Sequence, residues 1–151
     1  MTFSLSINVI LTQVLAEAAL RHHLKTDRPA LLTLDHREAL ATLARGAFGM
    51  ICLALIPAIT GCSLGTDDAS PVTGHDLLQA DIDIPPGTSP VALRLLLEHA
   101  MASHILAEAY SGTDPHLSDT FRQEYDTALR SARSALTLPA ATDATIQPAW
   151  L

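Results

Sequence analysis

Apolar positions recur at helical spacing in four stretches of this chain, separated by segments rich in glycine, proline and small polar residues. In "SINVILTQVLAEAALRHHL", from about Ser6 to Leu24, the residues Ile7, Leu11, Val14 and Ala18 follow at steps of four, three and four. That spacing marks one face of an amphipathic helix, with Ser6 as its N-cap and Pro29 barring continuation. A second stripe, Leu40, Leu43, Ala47, Met50 and Ala54, starts in charged sequence and passes without a change of phase into "AFGMICLALIPAITG". Asp35 is placed to cap this helix, with Glu38 three residues on in a variant of the capping box, and Pro57 breaks or kinks it.

The third helix is "SPVALRLLLEHAMASHILAEAYSG", with Ser89 as cap, Pro90 in the first turn and Gly112 at its end. It is apolar on most sides, with Arg94 and Glu98 on one strip and His104 and Glu108 on another, which is the pattern of a central helix. The fourth starts at Asp114 and Pro115 and carries the stripe Leu117, Phe121, Tyr125, Ala128, Ala132 and Ala135. Arg130 and Arg133 sit near its C-terminal end, where the helix dipole favours cations, and Pro139 stops it. Between the second and third helices, Gly61 to Ser89 reads as a long loop holding one short turn or strand around Leu77 to Ile84. The expected fold is all-α: a small bundle of about four helices with a long loop and an extended C-terminal tail. A single helical domain over residues 1–138 is followed by the tail, 139–151, which lacks periodicity and ends in Trp150 and Leu151.

Composition sharpens this picture. Hydrophobic residues make up 48% and charged residues 17%, while aromatics are only 4%, so the apolar content is mostly Ala, Leu and Ile. Such a chain packs helices closely and carries more apolar surface than one small domain hides, so neighbouring subunits or a membrane would take up the excess. The net charge of −7 argues against a general nucleic-acid binder, because no basic cluster is present to displace counterions. Cys52 and Cys62 stand in apolar surroundings and form neither a disulfide framework nor a metal quartet; buried free thiols are expected.

The run from Gly46 to Thr66 carries no charge and contains "AITGC", which looks like a lipoprotein cleavage box. An amphipathic helix and several charges precede Cys62, and "MTFSLSIN" has no basic n-region, so chance accounts for the box better than processing does. The run is long enough to cross a bilayer, but Pro57, Gly61, Ser63 and Gly65 interrupt its second half. The strongly apolar part, Ala47 to Ile59, therefore reads as a core helix. Two alternatives stand beside a soluble assembly: a membrane-associated protein anchored through residues 47–59, and a small helical regulatory binding module.

Catalytic and metal patterns find no footing. His22 and His23 point to different sides of a helix, and His99 and His104 are five apart. His104 and Glu108 share a face, yet two ligands do not close a zinc site. Ser63 in "GCSLG" lacks the preceding α/β pattern of a nucleophile elbow. No catalytic, cofactor or metal residues are assigned, and no cofactor is expected.

The layout "PPGTSPVALRLLLEHAMASHILAEAYSG" followed by "FRQEYDTALRSARSAL", residues 85–138, resembles the head–tail connector (adaptor) proteins of tailed bacteriophages and gene transfer agents. A Pro-rich link, an apolar helix, a Tyr-Ala-Leu type helix and a loose C-terminal tail occur there in that order. "DHREALATLARGAFGMICLALIPAITG" would take the place of their earlier Ala-rich helix, without its usual Tyr and Arg signature. The resemblance implies a non-enzymatic structural virion protein, a homo-oligomeric ring commonly of about twelve subunits bound beneath the portal at the DNA exit. It implies the portal and the tail or neck proteins as partners, with DNA passing through unread. The tail would dock on the portal through Ile146, Gln147, Pro148, Trp150 and Leu151, with Trp150 the anchor. The expected location is the virion neck, and the host cytoplasm during assembly.

Overall fold

The computed structural model describes residues 1–24, 32–66 and 76–137. Chain order is β1 (Thr2–Ser6), α1 (Ile7–Leu24), a 3-10 turn (Leu34–His36), α2 (Arg37–Ala54), β2 (Ile59–Thr66), β3 (Asp76–Ile82), α3 (Pro90–Tyr110) and α4 (Pro115–Ala135). The molecule is mostly helical, with four long helices, but it is not all-α. A three-stranded antiparallel sheet in the order β1-β3-β2 joins the helices. The strand expected around Leu77 to Ile84 is β3; β1 and β2 are additional, and β2 occupies the start of the stretch that reads as a long loop.

The sheet has one apolar and one polar face. "TFSLS" alternates, burying Phe3 and Leu5 while Thr2 stays exposed. Register pairs Phe3 with Ala80 and Leu5 with Leu78, so these buried residues share a face with Ile82. The other face is polar: the Thr2 hydroxyl donates to Asp81 Oδ1, and Gln79 lies opposite Ser4 and Ser63. An antiparallel sheet of this kind packs one side and wets the other. A bulge at Thr60 changes the phase of β2, because Ile59 pairs with Ile82 while Gly61 pairs with Asp81. Cys62, opposite Ala80, is thereby brought onto the apolar face.

Helices cover that face. The expected stripe of α1 is confirmed, since Ile7, Leu11, Val14 and Ala18 are all buried. The α3 helix is the central one, packed against α1, α2, α4 and β1. The Ser89 hydroxyl accepts from Ala92 N–H at 3.3 Å and opens α3; the Asp114 carboxylate accepts from Leu117 N–H at 3.1 Å and opens α4. The two helices form an antiparallel hairpin. Across it the Tyr110 and Phe121 rings stack at 6.0 Å, and the buried Ser118 hydroxyl donates to Ala107 O at 2.8 Å.

Two expectations about α2 are corrected. Its start is organised by Thr33 and not by Asp35: His36 N–H donates to Thr33 O, and Thr33 N–H donates to His36 Nδ1 at 3.2 Å. Its buried face is Leu40, Ala44, Ala47, Phe48, Ile51 and Cys52, whereas Met50 points outward. The long uncharged run is not one helix. It ends as helix at Ala54, turns, and continues as β2 from Ile59. Pro57, which cannot sit in a helix interior, lies in that turn. Among the described residues no helix is long and apolar enough to cross a membrane.

Candidate interaction surface

The feature that stands out is the outward face of α2. Met50 is 55% exposed and Leu53 69%, following Gly46 and Gly49 along the same side, and Ile56, 57% exposed, continues the apolar surface in the turn after the helix. A Cβ built at either glycine would meet nothing within 4 Å. The helix therefore offers a smooth apolar strip where another surface could approach its backbone closely. Scattered exposed apolar residues are ordinary, but a contiguous strip without charge is characteristic of an interaction surface.

Beside this strip runs an open groove of about 510 Å³, with α2 as one wall and Ile59 to Cys62 of β2 as the other. The strand β2 is an edge strand, paired only with β3 among the described strands. An edge exposes backbone donors and acceptors on its free side, and a second chain or a covering element usually satisfies them. Cys52 and Cys62 both line the groove, the first buried and the second exposed. Burial pushes the Cys52 thiol up to about 12, and the hydrogen bond and charge of Cys62 push in the same direction. At neutral pH Cys52 is a protonated thiol. Their meeting is not legible in the sequence, because it depends on the turn after α2 and the bulge in β2.

A second groove, about 860 Å³, lies between α1, α3 and α4. Leu20 and Leu95 project at its margins, Ala102, Leu106 and Phe121 line it, and His99, Glu17 and Glu124 make it more polar than the first. Glu17 is engaged by Arg21 at 2.9 Å, and the Arg21 guanidinium lies over the Phe121 ring at 4.9 Å. These contacts tie α1 to α4 and leave no reactive constellation there.

The residues expected to bind a partner, Ile146, Gln147, Pro148, Trp150 and Leu151, lie outside the described residues. Of the described histidines, His36 serves the turn before α2, and the His104 ring packs on Tyr125 with centroids 5.2 Å apart. Among the described residues no three of His, Cys, Asp or Glu come together as a cation site. Two bonds hold the end of α4. The Arg133 guanidinium donates to Ala54 O, and the Thr88 hydroxyl donates to Ala135 O at 2.9 Å. The first bond sets the last turn of α4 beside the last turn of α2, and the second ties that turn to the segment before α3.

No protein-family model, curated protein or solved structure matches the chain. The functional reading therefore rests on the chain's own residues and on the resemblance of residues 85–138.

Proposed function

We propose that the protein is a structural subunit of the head–tail connector of a tailed phage or gene transfer agent. In this reading it forms an oligomeric ring that joins the portal to the tail or neck around the DNA exit, in the virion neck. Its work is mechanical joining, and it is assembled in the host cytoplasm. The observation that carries the reading is the uncharged outward strip of α2 beside β2, an edge strand among the described strands. Exposed Met50, Leu53 and Ile56 gain by leaving water, at roughly 25 cal/mol per Å² of apolar surface. Neighbouring copies in a ring would cover them. The layout of residues 85–138 adds support, because its two helices pack as the hairpin α3–α4. A net charge of −7 suits a conduit that does not grip phosphate and lets the genome slide.

The test is the native mass of the full chain purified without detergent. A ring-sized particle is expected, and Leu53→Asp should release monomers of unchanged helix content. A wild-type monomer at micromolar concentration would sink the reading. A stable dimer would favour a small regulatory module, and recovery only with membranes would favour an anchor through residues 47–59.

A further inference from the structure

Cys52 and Cys62 are the only cysteines of the chain, and the fold brings them to one place. Cys52 lies near the end of α2, on its buried side. Cys62 lies opposite Ala80 on the apolar face of the sheet, in the same column as Phe3, because the bulge at Thr60 has shifted the phase of β2. Without that extra residue Gly61 would face the helices and Cys62 would face away. Both thiols line the groove between α2 and β2, where one is buried and the other open to solvent. A solvent-facing thiol next to a shielded one is the arrangement of an attacking and a resolving cysteine.

We propose that Cys52 and Cys62 form a redox-sensitive dithiol, closing to an intramolecular disulfide by exchange with a small-molecule disulfide such as oxidised glutathione. The inference does not depend on the connector reading. In the first step the exposed Cys62 thiolate attacks one sulfur of oxidised glutathione. The glutathione S–S bond breaks, a Cys62–glutathione disulfide forms, and one glutathione leaves as thiolate and takes up a proton. In the second step the Cys52 sulfur, losing its proton, attacks Cys62 Sγ and expels the second glutathione. Two protein thiols are oxidised by two electrons, and one oxidised glutathione is reduced to two glutathione thiols. The order follows from access: Cys62 is open to the reagent and Cys52 is shielded. The new bond would fasten the end of α2 to the edge of the sheet and close the loop of residues 52–62.

The test treats the reduced full chain with oxidised glutathione under native conditions, followed by alkylation, non-reducing digestion and mass spectrometry. The expected product is a monomer lighter by two hydrogens, with the Cys52 peptide linked to the Cys62 peptide and no alkylated thiol. Its melting temperature should lie above that of the reduced form, since a closed loop constrains the unfolded chain. Cys52→Ser should stop at one glutathione on Cys62, and Cys62→Ser should not react while folded. Two alkylatable thiols after treatment, a covalent dimer through Cys62, or a lasting glutathione adduct in the wild type would each overturn the proposal. Reaction of folded Cys62→Ser at Cys52 would overturn it as well.

Discussion

Glu98 carries a carboxyl group into the central helix with only 8% of the residue exposed, one turn after Arg94. Burial raises its pKa above the ordinary 4.5, and the Arg94 charge opposes that rise only in part. The folded state therefore holds this proton more tightly than the unfolded chain does. The contribution to stability is fully present below about pH 4.5 and is lost as pH rises through the raised folded value. Glu98→Gln should raise the melting temperature at pH 7 and leave it nearly unchanged at pH 4, read by calorimetry across that range. A wild-type protein no less stable than the variant at pH 7 would refute the account. The sequence placed Glu98 with Arg94 on a polar strip; the strip is real at Arg94 but submerged one turn later, because α3 packs on three other helices.

At the scale of elements, all four helices were legible from spacing, with the caps right for α3 and α4 and wrong for α2, whereas the sheet was legible only in part. The stripe of α4 alternates with polar residues, so only one face could be buried, whereas α1 also carries apolar residues off its stripe, Ile10 buried and Val9 and Leu20 exposed. In α2 nearly every position from Ala47 to Ile56 is apolar or glycine, and two stripes fit equally well. The stripe through Met50 continues the phase of Leu40 and Leu43, but the fold buries the one through Ile51 and Leu55. Mutation separates these stripes. Ile51→Ala should cost about 2–5 kcal/mol of unfolding free energy, as for a buried side chain that leaves a cavity. Leu53→Asp should stay within about 0.5 kcal/mol in the monomer. Urea denaturation followed by circular dichroism measures both, and equal losses would return Leu53 to the core. The strands were harder to read for reasons of composition. β1 is five residues long and runs directly into a helix, and β2, "ITGCSLGT", is built of residues that also make loops. Only β3, with Leu78, Ala80 and Ile82 alternating, gave a strand signal.

For the molecule as a whole, the described residues build one continuous core. Buried residues from Phe3 to Leu136 form one cluster drawn from the strands and all four helices. A chain ending at Leu138 should therefore keep its helix content and melting temperature, while losing attachment to the portal if the tail is the docking element. Truncated protein that still joined heads to tails would remove that role from residues 139–151. The interaction surface was half legible: the uncharged run was visible in the sequence, but its division into a helix face and a strand edge depended on the turn at Pro57. The bond from Arg133 to Ala54 has a consequence for recognition. It holds the last turn of α4 beside the end of α2, so a partner that binds both elements meets two neighbouring contacts at high effective concentration. Two individually weak contacts arranged in this way can raise avidity by roughly 10²–10⁴ without any new bond.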